Sequence, residues 1–183
     1  MLHTKEIRSV MENEKKILQC HSRGDKRFSA LCAKVVIHNR TYTIEKIYQW
    51  SKRKSDGTIA GKSKPFDYFV CPFCGMEFPA EEVSYLYKGL WIMYFNDHPD
   101  LLEYASGFDE FVDIFKGKSI NCQADVIAEL VRDKEKVISE VKESDWYKTM
   151  ARWTKGISNL RQLGVSLSYN INKGDAAHEA IPD

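Results

Sequence analysis

The 183-residue chain carries 27 Lys+Arg against 26 Asp+Glu, a formal net charge of +1, which argues against a globally basic nucleic-acid binder but leaves room for a local basic patch. Hydrophobic residues make up 43% and aromatic residues 12%, enough for a packed core, so a wholly disordered chain is excluded. No stretch of apolar residues is long enough to span a bilayer, and the N-terminus lacks the apolar run of a signal peptide. The odd number of cysteines, 5, favours a reducing compartment. We therefore expect a cytoplasmic protein without a membrane partner.

Helical spacing of apolar residues over 3–19 predicts an N-terminal helix that ends before the turn signals at 22–25. A short β-branched run at 33–37, a turn at 38–40 and a return at Tyr42 predict a β-hairpin. Thr43 is a suitable N-cap for a helix that runs to about Lys54. Its spacing places Glu45, Gln49 and Lys52 on one face.

The basic, Gly/Ser-containing stretch 51–65 predicts a mobile loop, and strands are expected at 67–70 and 77–78 around a Cys-Pro-Phe-Cys-Gly turn. An amphipathic helix over 80–95 and a second from Pro99 to Gly107 follow. Residues 108–120 are expected to be irregular, and Asn121 to cap a helix to about Asp133. The packing face of the charged helical segment 134–163 is predicted to comprise Val137, Val141, Trp146, Met150 and Trp153.

These elements predict an α+β fold that is mostly α-helical, with small β-hairpins packed against a helical core. Residues 1–133 are expected to form the main domain. Residues 134–183 are expected to form a charged C-terminal helical extension with a flexible tail.

Two cysteines on the predicted turn, Cys71 and Cys74, have the spacing of a zinc knuckle. A structural zinc ion takes four ligands, and Cys20 with His21 is the best remaining pair, although it belongs to no matching motif. The competing interpretation is a tight hairpin turn with two ordinary cysteines, so the zinc stays an open alternative.

Two polar segments, residues 24–54 and 108–127, hold the candidate catalytic groups, and we expect them to meet in one pocket. In the first, Glu45 lies one turn into its helix, where the helix N-terminus favours the carboxylate that positions or activates a water. In the second, Asp113 lies among phenylalanines, a setting that raises carboxyl pKa values. The simpler alternatives are an ordinary first-turn glutamate and a solvated loop.

In the first segment, Phe28-Ser29 is followed by Thr43-Ile-Glu45-Lys-Ile-Tyr48-Gln49-Trp-Ser-Lys52. This pattern resembles the NADAR family, in which a similar segment leads into a helix beginning T-[VI]-E-x-x-[YF]-Q-x-x-K. The stretch from Leu102 to Asn121 is weakly similar to a later family motif, from which it departs at Phe115-Lys116 and after Asn121. The two stretches cover about a third of the chain.

NADAR proteins are small α-rich N-glycosidases that hydrolyse the bond between a ribosyl carbon and a nitrogen. The resemblance implies that Glu45 is the catalytic carboxylate and Asp113 the second carboxylate, with no cofactor required. It implies that the base or sugar is held by Gln49, Asn121 and Gln123. Phosphates would face Lys26, Arg27 and Lys52.

The leading hypothesis is an N-glycosidase that removes a modified or ADP-ribosylated base from DNA, or cleaves a nucleotide, in phage–host conflict. The first alternative is a non-enzymatic, zinc-stapled module that binds nucleic acid or protein. The second is a nucleotide-binding inhibitor, which would bind its ligand without turnover.

Overall fold

The computed structural model describes residues 9–12, 15–62, 65–114, 122–153 and 181–182. Within these ranges the fold is mixed α+β, as predicted. The described helices are α1 (Ile44–Ser51), α2 (Val83–Asp97), α3 (Pro99–Ala105), α4 (Gln123–Glu143) and α5 (Asp145–Trp153). The described strands are β1 (Ser9–Glu12), β2 (Lys15–Gln19), β3 (Lys34–Ile37), β4 (Arg40–Thr43), β5 (Lys52–Arg53), β6 (Tyr68–Val70), β7 (Glu77–Pro79) and β8 (Glu110–Val112).

The prediction of an N-terminal helix is wrong where the structure describes this segment. β1 and β2 form an antiparallel hairpin, and β2 then pairs in parallel with β8 from Ile17 opposite Glu110 to Gln19 opposite Val112. The ladder is extended by Asp109, whose N–H donates to the Lys16 carbonyl and whose carboxylate accepts the Lys16 N–H. Pairing with a distant strand therefore overrides the local helical spacing.

The same pairing corrects the prediction that residues 108–120 are irregular, because Glu110–Val112 is the strand β8. Residues 115–121 lie outside the described part of the chain. The predicted cap residue, Asn121, is among them. α4 begins at Gln123, and Cys122 occupies its N-cap position without a capping side-chain bond.

The hairpin of β3 and β4 is confirmed and leads directly into α1. His38 and Asn39 both have positive φ values, 50° and 64°, the backbone that tight two-residue hairpin turns require. Thr43 caps α1 as predicted, since its hydroxyl accepts the Lys46 N–H at 3.2 Å. The helix ends at Ser51 rather than Lys54 because the chain becomes extended at Lys52 and pairs with β6.

The two strands predicted around the Cys-Pro-Phe-Cys-Gly turn are confirmed as β6 and β7. Together with β5 they make a three-stranded antiparallel sheet. The predicted loop 51–65 thus contains β5, and an isolated bridge joins Arg53 to Ile59.

Helix α2 runs through the middle of the core and supplies many of its largest buried side chains, among them Leu86, Leu90, Trp91 and Phe95. None of the helices in the described ranges combines the length and apolarity needed to cross a membrane.

Helix α4 is interrupted at Asp133, the boundary predicted between the main domain and the C-terminal extension. Its backbone there is extended (φ −159°, ψ 84°), and its carboxylate accepts the Lys136 N–H at 3.1 Å, which restarts the helix. The packing face predicted beyond this point is confirmed for the side chains that are described, namely Val137, Val141, Trp146 and Met150, all buried in the common core.

Candidate active site

Glu45 is held at the start of α1 by the backbone of the preceding turn. Its N–H donates to the Ala30 carbonyl at 2.9 Å, and the Ile44 N–H donates to the Ala33 carbonyl at 2.9 Å. The first N–H groups of a helix have no partner within it. Here the chain at 30–33 supplies those partners and fixes the position of Glu45.

The Glu45 carboxylate is the centre of a polar group on one face of α1. It accepts a hydrogen bond from Gln49 Nε2 at 2.9 Å, and Lys62 Nζ lies 3.9 Å away. The side chain is 23% exposed, so solvent or a ligand can reach the carboxylate. Glu45 and Gln49 thus lie on one face of α1, as predicted, and are joined by a hydrogen bond.

Lys52, the third member of the predicted face, is almost entirely buried, at 4% exposure. Its ammonium lies 4.8 Å from the Tyr48 ring centroid and 5.6 Å from that of Phe66. Burial lowers the pKa of Lys52, and the Glu45 carboxylate offsets part of that effect. A lysine in this position acts on Glu45 and the aromatic rings more readily than on a phosphate in solvent.

The lowered pKa of Lys52 predicts a pH dependence of stability. The folded protein releases this proton at a lower pH than the unfolded chain, whose lysine pKa is 10.5. Between those two values the unfolded chain binds more protons, so stability rises with pH. We expect the unfolding free energy of the wild type to increase relative to Lys52→Met as the pH rises towards 10.5. Urea denaturation of both proteins across this range measures the difference, and parallel curves would contradict the prediction.

The two predicted polar segments meet at the backbone of Ala30. Its N–H donates to Gln123 Oε1 at 2.6 Å, while its carbonyl accepts the Glu45 N–H. Gln123, predicted to hold base or sugar, thereby links the start of α4 to the start of α1. That the segments share one ligand pocket remains a prediction.

The pKa of Tyr87 on α2 is influenced by both predicted catalytic carboxylates. Burial raises its pKa, and the nearby carboxylates of Glu45 and Asp113 raise it further. Its ring is 5.0 Å from that of Tyr48. Helical spacing over 80–95 indicates a buried ring at Tyr87 but does not reveal which charged groups of other segments influence its hydroxyl.

Two buried polar atoms, one next to Ala30 in the sequence and one on Gln49, lack a hydrogen-bond partner among the described residues. They are the Ser29 hydroxyl, in a side chain with no exposed surface, and Gln49 Oε1. Buried polar groups are nearly always satisfied. These atoms therefore mark places where a ligand or a water would complete the hydrogen bonding.

Arg27, predicted to face phosphate, forms an ion pair with Asp25. Its guanidinium donates to both oxygens of Asp25, at 2.9 and 2.7 Å, and lies 4.5 Å from the Tyr104 ring centroid. The Asp25 side chain is completely buried. Lys26, by contrast, is exposed.

The position of this pair depends on Gly24. A Cβ at Gly24 would collide with the Gln19 side chain and would lie 2.6 Å from the Gln19 carbonyl oxygen, which accepts the Asp25 N–H. The close approach requires glycine.

The predicted zinc ligands fall in two places. Cys71 and Cys74 are buried on the turn between β6 and β7. Cys20 is buried directly after β2, where burial raises the pKa of its thiol and the carboxylates of Asp113 and Asp25 raise it further. His21, next to Cys20, is 8% exposed. In the described ranges no group of three or more His, Cys, Asp or Glu side chains is placed to hold a metal ion, so the zinc remains a prediction without a complete ligand set.

Comparison with known proteins gives no match: no family model, no curated protein and no solved structure is significantly similar to this chain.

Proposed function

We propose that this protein is an N-glycosidase that hydrolyses a ribosyl C–N bond and removes a modified or ADP-ribosylated base from DNA. The observation that carries the proposal is the Glu45 carboxylate: fixed by backbone bonds at the first turn of α1, partly exposed, and bonded to Gln49. A fixed anion of this kind stabilises the positive charge that develops on a sugar as its base departs.

In this mechanism Glu45 orients the attacking water or lies beneath the oxocarbenium-like sugar. Asp113 is the second carboxylate of the proposed reaction centre. The carboxylates of both residues raise the pKa of the buried Tyr87, in keeping with the proposal. Tyr87, kept neutral by its raised pKa, would donate a hydrogen bond rather than act as a base.

The surrounding polar groups suit a nucleotide. The unpartnered Ser29 hydroxyl and Gln49 Oε1 would bind sugar hydroxyls or base edges. Lys62, 65% exposed and 3.9 Å from Glu45, would contact a phosphate at the entrance, with Lys26 as a second exposed cation. In DNA the target nucleotide must leave the base stack before it reaches Glu45.

The test is to incubate the full chain with DNA carrying modified bases, including ADP-ribosylated guanine, and to measure the released base and the abasic sites. Release of base with formation of abasic sites is expected. Tight binding without release would overturn the proposal in favour of a nucleotide-binding inhibitor. Failure to bind or cleave any of these substrates would overturn it as well.

A further inference from the structure

The turn between β6 and β7 carries two cysteines, Cys71 and Cys74, three positions apart. The Gly75 N–H donates to the Cys71 carbonyl and the Cys71 N–H to the Met76 carbonyl, both at 2.8 Å, and Gly75 adopts a positive φ of 72°. These bonds close the turn tightly. Both cysteines are free thiols, and both are buried.

The Cys71 sulfur is in contact with helix α5. Trp146 Nε1 donates a hydrogen bond to it at 3.4 Å, and Met150 Sδ lies 3.9 Å from it. Cys74 follows three residues later on the same closed turn, which is the Cys-x-x-Cys spacing at which reactive disulfides form.

We propose that Cys71 and Cys74 form a reversible intramolecular disulfide, and that helix α5 controls access to it. The geometry suits a disulfide better than the predicted zinc knuckle. A disulfide needs only two adjacent sulfurs, whereas a structural zinc needs four ligands, which the described residues do not provide around this turn.

The oxidant would be a small disulfide such as oxidised glutathione. Cys71 loses its proton to solvent, and its thiolate attacks one of the two sulfurs of the oxidant to form a mixed disulfide, while the first glutathione leaves as a thiolate and takes up a proton. Cys74 then loses its proton to solvent and attacks the Cys71 sulfur, and the second glutathione leaves as a thiolate and takes up a proton. Overall the protein loses two protons and two electrons, and the glutathione disulfide gains them.

Access is controlled by α5 because that helix covers the sulfurs. Cys71 has no exposed surface, and Trp146 and Met150 of α5 lie against it, Met150 Sδ at 3.9 Å. The start of α5 is anchored by Glu82, whose carboxylate accepts the Trp146 backbone N–H at 3.0 Å. An oxidant can reach Cys71 only when α5 moves away, so weakening this anchor should speed oxidation.

The experiment equilibrates the full chain in buffers of reduced and oxidised glutathione, quenches with acid, alkylates the free thiols and maps disulfides by mass spectrometry. We expect a Cys71–Cys74 linkage that forms and reverses with the glutathione ratio and is absent in Cys74→Ser. Glu82→Ala should oxidise roughly two- to thirtyfold faster, the effect of losing one helix-capping bond. Glu81→Ala, next to it and exposed, is the matched control and should oxidise at the wild-type rate.

Three outcomes would overturn the reversible Cys71–Cys74 disulfide. The first is no Cys71–Cys74 linkage at any glutathione ratio while circular dichroism shows a folded protein. The second is a disulfide that maps to other cysteines. The third is one equivalent of bound zinc that protects both thiols. Equal oxidation rates for Glu82→Ala and Glu81→Ala would overturn the role of α5.

Discussion

Glu45→Gln is expected to lower the rate of base release by roughly 10²- to 10³-fold, the usual effect of removing one group that stabilises charge in the transition state. The substitution keeps the size of the side chain and an oxygen that can accept the Gln49 hydrogen bond, but removes the negative charge. Since that charge acts on the developing oxocarbenium ion, the loss should appear in kcat more than in KM. Single-turnover measurement of base release separates the two.

The matched control is Glu103→Gln, an exposed glutamate on α3, which should retain wild-type activity. Both variants should unfold at temperatures close to that of the wild type. A Glu45→Gln rate within about threefold of wild type, where a transition-state contribution predicts a far larger change, would remove Glu45 from the mechanism.

Asp25→Ala is expected to lower the unfolding free energy by about 2–4 kcal/mol. The completely buried Asp25 carboxylate accepts three hydrogen bonds from Arg27, from its backbone N–H at 3.2 Å and from its guanidinium at 2.9 and 2.7 Å. Alanine leaves those donors without an acceptor and leaves a small cavity. The Arg27 side chain is 31% exposed, so it can recover some hydration, which limits the loss. Urea denaturation measures it.

Asp100→Ala is the control, because this aspartate is exposed at the first turn of α3 and its loss should change stability by only about 0.5 kcal/mol. Equal stability of the two variants would show that the Asp25–Arg27 pair contributes little. In that case Arg27 would be available to bind a phosphate, as the sequence predicted.

The parts of the fold that the sequence predicted depend on short-range chemistry. Thr43 caps α1 because its hydroxyl accepts the N–H of Lys46, three residues further along the chain. This hydrogen bond needs no residue from a distant part of the sequence. The hairpin turn at His38 and Asn39 and the interruption of α4 at Asp133 are equally local. Each could be located from neighbouring residues alone.

The parts that the sequence did not predict depend on distant partners. Residues 9–19 have helical spacing, yet β2 is a strand because β8 lies beside it. The candidate site shows the same difference. Glu45 and Gln49 lie on one face and are hydrogen-bonded, in keeping with the helical period. The raised pKa of Tyr87 and the burial of Lys52 follow instead from side chains that the fold brings together. Arg27 was predicted to bind phosphate because the sequence does not reveal that its partner, Asp25, is completely buried.

The parallel pairing of β2 with β8 also has a consequence for folding. Ile17 lies opposite Glu110, so most of the chain must be synthesised before this ladder can form, and contacts of such long sequence separation form late. Until then one edge of the N-terminal hairpin is unpaired and open to association with other chains. A fragment that ends before residue 110 should therefore aggregate more readily than the full chain, even though it contains Glu45 and its supporting turn.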